Sequence, residues 1–303
     1  MRSKSSLTFS CRQAGFAGFR PLRVRGHFVA GSKSWRRVIA AVVLGIGLGG
    51  GIAVAQPRPA PRPKKVKVDV AAQKAALLGG DVDKGTVAAV ELGKSDDAAA
   101  HGALLEGLAT GLHPDTAAAA LTSLASSPRP GDVTTLGRYV RARNVAVRAA
   151  AVRALGGHAD AGEKILAALR DQEESVRAAA AEAVVARKPK GAAEPLLALL
   201  DKGEVPAAKA LAALADAELA RVVAEHLGTA PDGVLAQCLG GILVRPDFGP
   251  EPARVQVVRA LAKLAGPEAI TALGDYVDAT PATPVKQSRR EAEAALKEKL
   301  GGE

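Results

Sequence analysis

Along the middle of the chain, apolar residues recur at steps of four, three and one. Val147, Ala151, Ala154 and Leu155 form one such set, and Val176, Ala180, Ala183 and Val184 form another 29 residues later. These steps put each set on one stripe of an α-helix. The segment Val147-Arg148-Ala149-Ala150-Ala151 itself returns as Val176-Arg177-Ala178-Ala179-Ala180. Between the copies, the breaker Gly156-Gly157-His158 precedes a second helical run, Ala161 to Arg170. Two helices per recurring unit predict an all-α chain: a right-handed α-solenoid of antiparallel helix pairs with a period of about 29–31 residues.

The same phase extends in both directions. First helices are expected at Val133 to Ala142, Gly162 to Arg170 and Ala192 to Leu200, and second helices at Val145 to Leu155, Ser175 to Ala186 and Val205 to Leu214. The third copy carries Val205-Pro206 where the others have Val-Arg, which a first helical turn tolerates because that N–H has no intrahelical partner. Helical runs continue from Glu218 to Leu300, interrupted by the proline-rich loop Arg245 to Pro252. The last run, Val285 to Leu300, is the most polar and is expected to cap the array. Before Asp132 the runs Ala71 to Leu78, Thr86 to Leu92, Ala98 to Ala109 and Asp115 to Ser126 are less regularly spaced, so 70–131 reads as degenerate repeats or an N-terminal cap, and 132–303 as the regular solenoid.

The Val-Arg-Ala-Ala-Ala segments at 147–151 and 176–180, each opening the second helix of a pair about 30 residues long, resemble HEAT repeats. The short period is similar to the phycobilisome-lyase-type branch. The resemblance is strong over Asp132 to Leu214, weaker to Leu300 and poor before Asp115. It implies a protein–protein scaffold, and some relatives of that branch handle bilin chromophores. Repeat form alone transfers neither activity, because it is shared far more widely than any one function.

Charge changes the picture at the N-terminus. The formal net charge is +10, yet residues 1–55 hold nine Lys/Arg and no acid, whereas the chain from Val70 onward has 27 basic against 30 acidic residues. The repeats are close to neutral, so the overall charge does not point to nucleic acid. Arg36-Arg37 followed by the apolar stretch Val38 to Leu44 and by Ala53-Val54-Ala55 reads as an export signal over 1–55, with Gln56 the first mature residue. The destination is then the periplasm or envelope of a bacterium. The alternative is an inner-membrane anchor, since the 18 uncharged residues 38–55 just reach spanning length. Residues 56–69, with four alternating prolines and five Lys/Arg, form an extended tether.

Candidate chemistry is sparse. Gly45-Ile46-Gly47-Leu48-Gly49-Gly50 fits G-x-G-x-x-G but lies in the export signal, without the strand, helix and acid that dinucleotide binding needs. His101, His113, His158 and His226 are scattered, with no partner at metal-ligand spacing, and His158 is expected to meet a helix dipole. Asp96-Asp97 and Glu173-Glu174 read as helix-start acids. Cys238 shares a stripe with Leu235, Ile242 and Leu243 and is expected to be a buried thiol. No catalytic residue, metal or cofactor is expected.

Two functions from different classes remain: an exported, non-catalytic interaction scaffold, or a ligand- or chromophore-binding repeat protein with lyase-like activity. A paucity of aromatics after the leader, where only Tyr139, Phe248 and Tyr276 remain, weighs more against the second. From Val133 to Ala159 there is no acid, yet Arg138, Arg141, Arg143, Arg148 and Arg153 occur. Arg148 and Arg177 sit one repeat apart and are expected to pair with acids or carbonyls of neighbouring repeats. Arg138 and Arg141 have no such ladder at Ala168 or Pro195 to Leu199, and they are the expected contact for an acidic segment of a protein partner or another polyanion. No nucleic-acid partner is expected, and membrane contact only through a retained N-terminal segment.

Overall fold

The computed structural model describes residues 68–301, so the export signal, its cleavage at Gln56 and most of the tether lie outside the described residues. Among the described residues the secondary structure is helical throughout. The helices are α1 (Val70–Leu78), α2 (Val82–Gly93), α3 (Ala98–Thr110), α4 (Pro114–Ala125), α5 (Asp132–Tyr139), α6 (Val145–Leu155), α7 (Gly162–Ala168) and α8 (Glu174–Arg187). They continue as α9 (Ala193–Asp201), α10 (Val205–Leu214), α11 (Ala217–Glu225), α12 (Asp232–Leu243), α13 (Glu251–Lys263), α14 (Pro267–Ala279) and α15 (Gln287–Gly301). A 3₁₀ turn, Ala159–Ala161, leads into α7.

Local sequence explains most helix starts. The carboxylates of Asp69, Asp81, Asp97 and Asp216 and the amide oxygen of Asn144 each accept a backbone N–H from the first turn, satisfying a donor that the helix cannot. Proline sits in the first turn of α4, α10, α13 and α14, where its missing N–H costs nothing. The break before α5 uses Gly131 at φ 96°, a left-handed conformation that a β-carbon would strain.

The helices pair into a two-layered α-solenoid. Even-numbered helices pack edge to edge from α2 to α14, whereas the odd-numbered helices from α3 to α11 scarcely touch one another. Side-chain size accounts for the difference. The even layer meets through fully buried alanines such as Ala151, Ala154, Ala180 and Ala208, and through glycines where even alanine is too large. A β-carbon on Gly240 would lie 2.6 Å from the Ala272 β-carbon, and one on Gly241 would lie 2.9 Å from that of Ala212. Leucine, isoleucine and valine fill the space between layers, with Leu136, Ile165, Leu196 and Leu211 fully buried. Wide spacing of the odd helices leaves grooves between them.

Contacts between consecutive units run the length of the array. The Thr86 and Thr116 hydroxyls are 3.4 Å apart, Arg153 Nε donates to Glu182 at 3.2 Å, and Arg259 forks onto Glu291 at 2.7 and 2.8 Å. Such pairs join residues about one repeat apart, as a linear stack requires. The final helix is wet on one side and pinned on the other: Ser288 Oγ is 2.6 Å from the Tyr276 hydroxyl and donates to Glu251 at 2.7 Å.

Predicted helix boundaries hold for the second helices and shift for the first. The sequence pattern carries the helix from Val133 to Ala142, but α5 ends at Tyr139. Past it the N–H groups of Arg141 and Ala142 bond three residues back, to Arg138 at 3.4 Å and Tyr139 at 3.1 Å, and Arg148 Nη1 braces the turn that follows through the carbonyls of Ala142 at 2.9 Å and Arg143 at 3.1 Å. Among the described residues no helix is long and apolar enough to cross a membrane.

Candidate functional site

The repeated arginines are structural. Arg148 Nε and Nη2 donate to the two oxygens of Asp171, each at 3.1 Å, while Nη1 holds the carbonyls that follow α5. One repeat on, Arg177 Nε donates to Glu204 at 2.7 Å, and its Nη1 donates to the carbonyls of Asp171 at 2.9 Å and Gln172 at 2.7 Å. Each guanidinium thus ties its own pair's turn to an acid of the next unit. Burial pushes Asp171 up, but the Arg148 fork and the Glu173 N–H outweigh it and hold its carboxyl below the ordinary value. In α13 and α15, Arg254 and Arg289 hold carbonyls at and just past the end of the preceding helix in a similar way.

Arg138 and Arg141 differ from these. Arg138 is in the last turn of α5, and Arg141 lies two residues beyond it, joined by a backbone hydrogen bond of 3.4 Å. Both are exposed. Among the described residues neither guanidinium has an acid or carbonyl partner, and the same is true of Arg143 and Arg170. The end of α5 is itself firmly placed, because the Tyr139 hydroxyl donates to the Leu108 carbonyl of α3. Burial pushes that phenol above its ordinary pKa. Ala168 and Pro195 to Leu199 offer no repeat counterpart for these arginines, but Arg170 occupies, just past α7, the place Arg141 occupies just past α5. Between them, the Lys164 stem passes over α5 where Gly137 leaves room; a β-carbon there would meet Lys164 Cε at 2.7 Å. Arg141 and Arg170 thus stand just past the ends of α5 and α7, with Arg138 in the last turn of α5 and Lys164 laid against that helix.

Two histidines expected to stand apart are brought together. His101 Nε2 lies 2.9 Å from Asp132 Oδ1, and His158 Nε2 lies 3.9 Å from Asp132 Oδ2; all three residues are more than nine-tenths buried. Asp132 also accepts the Arg129 N–H at 2.8 Å. His158 thus turns inward toward a carboxylate instead of capping a helix end, and its Nε2 has no hydrogen-bond partner. Burial lowers its pKa, only partly offset by Asp132. A clue was present in the one-repeat separation of His101 and Asp132. His226 Nδ1 pairs with Asp201 at 2.6 Å, and His113 accepts the Asp115 N–H at the start of α4. Among the described residues no group of three or more His, Cys, Asp or Glu is arranged to hold a metal. Cys238 is fully buried, and burial pushes its thiol up to about 12, so it is inert.

Two grooves mark the surface, one on each layer. One of about 760 Å³ lies between α9 and α11, with Glu194, Asp201, Asp216 and Glu218 around an apolar floor of Leu197, Leu219 and Val222. Another, of about 550 Å³, crosses α10, α12 and α14 over Gly240 and Gly241, with Lys209, Gln237 and Asp275 at its rim. Neither is lined by a Phe, Tyr or Trp side chain.

Residues 133–215 match the family model for HEAT repeats. The matched segment covers α5 to α10, the part in which Arg148 and Arg177 recur in register. Among solved structures the chain is similar to an engineered protein, at 22% identity over 78% of this chain and 98% of that one, with a TM-score of 0.33. It is also similar to a designed armadillo repeat protein, at 19% identity over 70% of this chain and 98% of that one, with a TM-score of 0.28. No curated protein matches the chain.

Proposed function

We propose that the protein is an exported, non-catalytic scaffold that binds an acidic protein surface through the arginines at the ends of α5 and α7. The observation that carries this reading is the contrast among arginines. Arg148, Arg177, Arg254 and Arg289 are engaged by carboxylates or carbonyls, while Arg138, Arg141 and Arg170 have no acid or carbonyl partner among the described residues. A planar guanidinium fork meets a carboxylate with two parallel hydrogen bonds, so a row of them selects acidic chains. The basic leader and its small-residue end support export. The chromophore-binding alternative, suggested by the short repeat period, has less support, because the grooves lack the aromatic walls that hold planar ligands.

The test compares wild type with Arg138→Glu/Arg141→Glu, using immobilised poly-glutamate and envelope extract. The variant is expected to keep its helical signal and melting temperature while losing retention on poly-glutamate, and added salt is expected to weaken wild-type retention. Equal retention of both proteins at the same salt would place the binding face elsewhere.

A further inference from the structure

The connection from α6 to α7 turns one side chain inward. Of residues 157–160 only His158 is buried; Gly157, Ala159 and Asp160 are exposed. The N–H groups of Gly156, Gly157 and His158 bond three residues back, at 3.0, 3.1 and 2.9 Å, and so tie the connection to its own helix, α6. Its hold on the preceding repeats is different in kind. Gly157 packs against Pro128, whose β-carbon would lie 3.0 Å from one added there, and the His158 ring reaches Asp132, the first residue of α5. The 3₁₀ turn Ala159–Ala161 and then α7 follow directly, so the entry to α7 is placed by where His158 sits.

That position suits a neutral ring and rejects a charged one. Asp132 Oδ1 is 2.9 Å from His101 Nε2, and Oδ2 accepts the Arg129 N–H at 2.8 Å, so both carboxylate oxygens already have partners. His158 Nε2 stops 3.9 Å from Oδ2 and has no hydrogen-bond partner. The charged and titratable groups facing the ring are Asp132 from α5, His101 from α3, Arg187 from the end of α8 and Asp160 from the connection itself. Arg187 and His101 disfavour a positive ring, and Asp132 and Asp160 favour it. Loss of water by burial weighs most and decides against the charge. Solvent is one residue away on either side, and there an imidazolium regains its hydration. Gly156 and Gly157 put no side chain in the way of the backbone rotation that takes it out.

We infer that His158 is a proton-operated latch: on taking up a proton it leaves the junction with α3 and α5 and frees the 3₁₀ turn and the start of α7. The opening is local, because α7 scarcely touches the odd helices beside it while α6 and α8 stay packed on each other. The inference does not depend on what α5 and α7 bind. Hydrogen exchange on the intact chain at pH 7.5 and 5.5, corrected for intrinsic exchange, tests it. With the released ring at its ordinary 6.5, opening of residues 157–165 is expected to rise up to about tenfold between the two conditions, while α12 and α14 keep their protection. His158→Gln, which takes up no proton, is expected to abolish the rise. NMR titration of the wild type gives a readout free of any substitution: the amides of 157–163 are expected to shift with the same midpoint as the His158 ring, below pH 6.5. Equal protection at both pH values, opening spread evenly over the repeats, a rise that survives in His158→Gln, or amides that follow another midpoint would each overturn the inference.

Discussion

Arg177→Ala is the perturbation that most directly tests how the repeats are held together. In the native chain Arg177 ties Glu204, 8% exposed at the start of α10, to the carbonyls of Asp171 and Gln172. The hydrogen bond to Glu204 holds the guanidinium above its ordinary pKa, against the opposing effect of burial. Truncation leaves a buried carboxylate and two carbonyls without their donor. Removing one partner of a fully buried ion pair costs about 3–5 kcal/mol. Here the Arg177 side chain is 16% exposed, so water reaches one edge of the pair. A loss of about 2–3 kcal/mol follows once that screening is allowed for. For a chain of this size that corresponds to a fall of about 5–10 °C in melting temperature. Glu204→Gln on its own should cost less, and the double variant should cost less than the sum of the two, by about 1–2 kcal/mol. Arg221→Ala, which removes an exposed pair on α11, is the control and should leave the melting temperature unchanged. The assay is thermal circular dichroism with hydrogen exchange. Faster exchange should be confined first to α7 through α10, because each repeat leans only on its neighbours. An Arg177→Ala shift no larger than that of Arg221→Ala, or a strictly additive cycle, would refute the reasoning.

Two further outcomes are expected. Gly240→Ala should destabilise the C-terminal half by about 1–3 kcal/mol in denaturant melts, since its β-carbon would overlap Ala272 at 2.6 Å and push α12 from α14. The third concerns pH. His158 has a folded pKa below its ordinary 6.5, so the unfolded chain binds the extra proton first. Its contribution is therefore fully present above pH 6.5 and lost as pH falls through the window beneath that value. His158→Leu should flatten this part of the stability profile; an unchanged slope in the variant would remove His158 as its source.

Much of the architecture was legible in the chain because a solenoid is nearly one-dimensional. Contacts fall one helix or one repeat away, so the 29-residue return of Val-Arg-Ala-Ala-Ala announces both the helix pair and its neighbour. The same reasoning anticipated the inward duty of Arg148 and Arg177, whose positions recur, and the burial of Cys238 on an apolar stripe. Tertiary structure decided what depends on side-chain reach and helix spacing. α5 gives way after Tyr139 to bonds three residues back, and a guanidinium from the next helix braces the carbonyls of Ala142 and Arg143, a contact that periodicity does not register. His101 and His158 converge on Asp132 because stacking brings three turns of different repeats to one buried point. Periodicity specifies which residues face inward. Where the outward ones lie relative to one another is set by how closely alanine and glycine let the even helices approach.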